Sequence, residues 1–141
     1  MQQFISHSDN LEDTMPRYHK NNEKELKEFL CNSYVHDAKL ENIKYDCRKD
    51  TIIFELFNPI HDAKINLTFL NIIFALKIKG DWSDNHETVI SLSVEEDFSF
   101  LRDYPLKKHI SITKELYLLF QMFSGDEFHI VSNEVIVEIN E

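Results

Sequence analysis

The sequence predicts a mainly β, α+β fold: an antiparallel β-sandwich or a curved sheet of about eight strands, with one N-terminal helix. Three observations predict it. From Ala38 onward apolar residues recur at every second position, the period of a strand with one face buried. The apolar runs are short, and turn residues separate them. One stretch alone, NNEKELKEFLCNS, has a helical period, so strand and helix do not alternate as a parallel sheet requires.

At 141 residues the chain is long enough for one domain with a real core. Residues 1–21 are polar, lack a period and read as a loose arm, leaving 22–141 as a single β-rich domain. The helix is expected from about Glu23 to Asn32. Asn22 and Glu25 are spaced as a capping box, and Leu26, Phe29 and Leu30 fall at i, i+3 and i+4 on one face.

The strands follow in order. Leu40 alternates with polar neighbours, then the phase slips to Ile43 and Tyr45, which predicts a β-bulge near Glu41-Asn42. DCRKD reads as a turn. TIIFELF is apolar at successive positions, the pattern of a strand covered on both faces, and Asn58-Pro59 breaks it. KINLTFL and NIIFALKIKG alternate through Ile65, Leu67 and Phe69, then Ile72, Phe74, Leu76 and Ile78. After the polar loop GDWSDNH, TVISLSVEE places Ile90, Leu92 and Val94 on one face. A helical turn is expected around Phe98–Arg102, stopped before Pro105. The tail, LYLLFQMF, FHIVS and VIVEI, reads as a three-strand meander with turns at Gly125 and Asn133. Leu116, Leu118, Phe120 and Met122 share one face, and His129 is expected to point outward or across to a neighbouring strand.

The formal charge of -10 is unevenly placed, with 13 acidic and 4 basic residues in positions 81–141. Such a surface repels phosphate backbones, which argues against nucleic acid, and attracts a basic protein. No run approaches the roughly 20 apolar residues that span a bilayer, so no membrane role is expected. MQQFISHSDNLED has neither the basic nor the apolar part of a secretory signal, and the cytoplasm is the expected compartment. Cys31 and Cys47 form no C-x-x-C pair and read as reduced thiols.

HDAKL begins at His36 and HDAKI at His61. Imidazole and carboxylate suit zinc, iron or manganese, so His36, Asp37, His61 and Asp62 are the candidate set for a metalloprotein or metal-dependent enzyme. Adjacent residues on a strand point to opposite faces, however, so each pair supplies one ligand unless it sits in a turn. The scaffold reading is that each pair fixes how the chain enters the strand after it. An Asp or His bonds nearby backbone N–H groups, and the following Ala allows close packing. The chain has no G-x-S-x-G and no phosphate-binding loop, no cofactor is expected, and Glu95-Glu96-Asp97 lacks the spacing and glycine of a calcium loop.

The segments YVHDAKLENIKYD, TIIFEL, INLTFLNIIFALKIKG and FSGDEFHIVSNEVIVEI resemble a diffuse group of small bacterial β-rich proteins with an opening His-Asp-Ala/Ser motif, over about residues 34–141. Members are mostly uncharacterised, and some resemble immunity proteins of bacterial polymorphic toxin systems. The resemblance implies a non-enzymatic binding module and transfers no catalytic residues. The function expected is therefore an immunity-type module that meets a basic protein through Asp81, Trp82, Asp84, Glu87, Glu95, Glu96 and Asp97. Trp82 serves there either as a partner anchor or as a lid on the sheet edge. The alternatives are the metal-dependent reading and a subunit that pairs through an exposed strand edge at Val135–Ile139.

Overall fold

Alternation from Ala38 onward produces one seven-stranded sheet, and its curvature places everything else. The computed structural model describes residues 16–31, 34–80, 87–104, 110–111 and 113–141. The strands are β1 (Arg17–Tyr18), β2 (Lys39–Asp46), β3 (Thr51–Asn58), β4 (Ala63–Ile78), β5 (Val89–Val94), β6 (Leu116–Met122) and β7 (Glu127–Asn140). Helix α1 spans Glu23–Leu30, and 3₁₀ helices span Lys20–Asn22 and Ser99–Asp103. All strand pairs are antiparallel, in the order β2-β3-β4-β7-β6-β5, with β1 added to β7. No described helix is long and apolar enough to cross a membrane.

The sheet is curved, the second of the two expected forms. Phe54 on β3 and Phe120 on β6 are separated in the sheet by β4 and β7, yet their rings stack at 4.4 Å across the concave face. Phe69 and Phe128 meet them edge to face, the favoured geometry for close aromatic pairs. Leu26 of α1 is buried in the same core, with Phe29 and Leu30 packed against it, so the helix closes one side of the concave face. The curl brings the two edge strands together at one corner. There Lys39 bridges Thr88, the Asp37 and Leu40 N–H groups donate to the Val89 and Glu87 carbonyls at 2.9 and 2.8 Å, and the Val89 N–H donates to Ala38 at 2.9 Å.

Several expectations change in detail. Two pairs of expected segments each form one strand, which leaves six, and the short β1 brings the total to seven. β4 runs straight through the gap between KINLTFL and NIIFALKIKG, with Asn71 at φ 55° and a register slip between Ile72 and Phe74 absorbing the change of phase. β7 likewise runs through Asn133, since Ser132 and Glu134 both pair with β4; the Asn133 amide instead donates to Glu115 at 3.4 Å. This places β7 inside the sheet, between β4 and the strands β6 and β1, so Val135–Ile139 is not an exposed edge. A slip between Val89 and Ser91 turns Val89 inward and Ile90 outward, against the expected Ile90–Leu92–Val94 face. The bulge in β2 lies between Leu40 and Asn42, where the sequence put it.

β3 is fully covered on one face only. Ile52, Phe54 and Leu56 are buried, whereas Ile53 and Phe57 are half-buried among Lys44, Thr68, Lys39 and Lys64 of the neighbouring strands. Lysine stems shield apolar side chains while their heads stay in water. α1 ends two residues earlier than expected, and Asn22 does not cap it. The Asn22 side chain turns back, accepting the His19 N–H at 2.6 Å and donating to the Arg17 carbonyl at 3.0 Å. Residues 1–15 of the expected arm lie outside the described residues, and Arg17–Tyr18 pairs with Ile136 and Val135. Both cysteines are free and exposed.

Candidate binding groove

The convex face of the sheet carries a second, smaller core. Tyr117 and Val131 point outward from β6 and β7, and the 3₁₀ segment folds down over them through Leu101. Phe98 meets Tyr117 edge to face at 5.4 Å. Phe100 stacks on His129 at 4.4 Å. Of the two expected orientations, His129 takes the second, reaching across to Tyr117 on β6, and only 3% of it is exposed. Both ring nitrogens are satisfied when the Tyr117 hydroxyl donates to Nδ1 at 2.6 Å and Nε2–H donates to Glu127 at 3.0 Å. Burial, reinforced by the charges of Glu95 and Glu127, pushes the Tyr117 hydroxyl up to about 12.

The same 3₁₀ segment makes a surface groove of about 380 Å³ where the chain leaves β5. Phe98, Leu101 and Ile110 supply its apolar lining, and Glu96, Asp97 and Arg102 its charged rim. The local fold follows from Asp97-Phe98-Ser99. The Asp97 carboxylate accepts the Ser99 N–H at 2.9 Å, turning the chain into the helix. That bond, with a further one from the Ser99 side chain, holds the Asp97 carboxyl below its ordinary range. Glu96 reaches Lys27 of α1 at 3.2 Å, and the Glu96 side chain is 78% exposed. Glu95 is tied to the fold through the Tyr117 carbonyl at 2.8 Å and through the Ser93 hydroxyl at 2.7 Å.

The expected acidic surface is thus divided. Glu95, Glu96 and Asp97 follow the last residue of β5, while Glu87 precedes its first, about 25 Å away along an extended chain. Asp81, Trp82 and Asp84 lie outside the described residues, and so do both roles expected of Trp82, anchor and lid. The apolar lining and Arg102 carried no binding signal in the sequence, although the helical turn that presents Phe98, Leu101 and Arg102 was expected as an element.

The two His-Asp pairs are placed in neighbouring turns at the corner where the sheet edges meet. Asp37 and Asp62 occupy the left-handed region at φ 67° and 51°, and the alanines after them, Ala38 and Ala63, are fully buried. Each pair therefore directs a turn into a strand, with a correction to the means. Asp tolerates the left-handed backbone that β-branched and bulky residues avoid. The capping is done by Asn58, which is buried: its Oδ1 accepts the Ile60 and His61 N–H groups at 2.9 and 3.1 Å, and its Nδ2 donates to the Tyr34 carbonyl at 2.9 Å. His61 stacks on Tyr34 at 4.7 Å, and His36 lies 3.6 Å from Asp37 of its own pair. Among the described residues no group of three or more His, Cys, Asp and Glu side chains gathers as metal ligands would. Compared with known proteins, the chain matches no family model and no curated sequence.

Proposed function

We propose that the protein is a non-enzymatic binding module of the immunity type, and that its groove at the end of β5 receives a basic protein partner. The observation that carries this reading is the joining of an apolar lining to a rim on which two carboxylates stand beside one guanidinium. A Lys or Arg side chain has the same two parts, an apolar stem and a cationic head. Phe98, Leu101 and Ile110 suit the stem, and Glu96 and Asp97 suit the head. The hydrogen bonds from Ser99 favour the ionised form of Asp97. The excess of acidic residues after position 80 would speed encounter with a basic surface. The partner class, a basic toxin domain met in the cytoplasm, comes from the resemblance.

The test is a titration of isotope-labelled protein with a hexalysine peptide at low salt, followed by amide NMR. Shifts are expected at residues 95–102 and at Ile110, with loss of binding in about 0.3 M salt as screening sets in. A Glu96→Gln/Asp97→Asn variant is expected to bind about tenfold more weakly. Asn at position 97 still accepts the Ser99 N–H, so the groove keeps its shape. Binding that leaves these amides unmoved, or that survives the double substitution, overturns the reading.

A further inference from the structure

Glu95, Glu96 and Asp97 do not present three uncompensated charges. Lys20, in the 3₁₀ turn before α1, holds its ammonium 5.5 Å from the centroid of the Phe98 ring. Lys27, on α1, holds its ammonium 3.2 Å from Glu96. Arg102 is close enough to Asp97 to help hold its carboxyl low. Two residues that shape the groove, one aromatic and one acidic, thus already face a primary ammonium from the same short helical segment.

We infer that Lys20 and Lys27 are built-in competitors for the groove, so that a basic partner binds by exchanging its own cations for them. This rests on the basic-partner reading above and adds how the site is regulated. The chemistry favours exchange over simple addition. An ammonium over an aromatic face and an ammonium beside a carboxylate are the two contacts that an incoming lysine would make. The Lys27–Glu96 pair is weak enough to yield, because the Lys27 and Glu96 side chains are 37% and 78% exposed and such pairs contribute little. Lys20 is held more firmly: its side chain is 19% exposed and pairs with Glu23 at 3.2 Å. Released from Phe98, it still has that carboxylate. The segment therefore has somewhere to put its charge while a partner occupies the groove.

The experiment compares hexalysine affinity at low salt in the unmodified chain, in Lys20→Met/Lys27→Met, and in a charge-matched control, Lys24→Met/Lys49→Met. Lys24 and Lys49 are exposed and stand in neither contact. Methionine keeps the length of the stem and suits a helix. The competitor variant is expected to bind about tenfold tighter than the unmodified chain, and the control within about twofold of it. If the competitor variant gains no more than the control while the unmodified chain still shifts its groove amides, exchange is wrong and the groove reading stands. If neither the unmodified chain nor the competitor variant shifts those amides, both fall.

Discussion

At the corner where β2 meets β5, His36, Asp37, His61 and Asp62 sit in turns pinned by the Asp37 N–H on the Val89 carbonyl and by Asn58 on the Ile60 and His61 N–H groups. At the opposite end of β5, Glu96, Asp97 and Arg102 stand on the rim of an open groove. The first region has the residue types of a catalytic or metal site. The second has an acidic run suited to a charged partner but no residue types of a catalytic or metal site. Yet the corner is occupied with holding the sheet together: two left-handed aspartates, two buried alanines and one buried asparagine serve the chain path. The groove residues have charge and apolar area that face solvent. The His36 and Asp37 side chains face solvent too, but no third ligand-type side chain among the described residues gathers with them, and a residue type suggests chemistry only where the partners that the chemistry needs converge.

The comparison can be broken most forcefully at Asn58. Replacing Asn58 with Ala removes three hydrogen bonds made by one fully buried side chain, to the Ile60 and His61 N–H groups and the Tyr34 carbonyl, at a cost of about 3 kcal/mol. Urea unfolding measures it, and a loss under about 1 kcal/mol would mean that the turns do not depend on this side chain.

The second test sharpens the other side of the contrast, since the segment that forms the groove rests on Tyr117 and His129. Tyr117→Phe leaves His129 Nδ1 without a donor and is expected to cost about 1–2 kcal/mol at neutral pH. The pH dependence has a definite sign. The folded-state value is about 12, against 10.0 for the free group. The unfolded chain therefore loses the phenol proton first, and stability that is complete below pH 10 drains away as the pH rises toward 12. Melting temperatures across that window should fall more steeply for the unmodified chain than for the Phe variant.

The smallest effect discriminates between backbone and carboxylate at the His-Asp pairs. Asp37→Ala and Asp62→Ala each place a Cβ without polar help at positive φ, and are expected to cost about 1 kcal/mol. Asp37→Gly and Asp62→Gly should cost almost nothing. If glycine proves as damaging as alanine in the same unfolding assay, the carboxylates matter in their own right and the scaffold account of this corner fails.

The fold was largely legible because strands declare themselves by period. The bulge after Leu40, the turn after Asp46, the face shared by Leu116, Leu118, Phe120 and Met122, and the helical turn near Phe98 all follow from local pattern. What failed was continuity. Asn133 looks like a turn residue, but whether it reverses the chain depends on β4, which runs along both of its flanks. Alternation puts His129 opposite the core face, and it does reach across to Tyr117 on β6, but nothing local shows that Leu101 and Phe100 will cover that face as well. The groove was half legible. The acidic run stood out, but the Phe98 lining follows β5 while the lysines opposite it come from α1 and the 3₁₀ turn before it, which the sequence keeps far from that segment.

One property of the architecture concerns how the chain acquires it. β7 is synthesised after the six other described strands, yet it is the keystone of the sheet: it borders β4 along nearly its whole length, β6 over its first half and β1 beyond that. Before it docks, β2–β3–β4 is a three-stranded ribbon and β5–β6 a lone hairpin, neither of which has a closed interior. Maturation is thus expected to be late and cooperative, and slow as non-local pairing tends to be. Chains severed before Glu127 should populate an aggregation-prone pool and not a smaller native body.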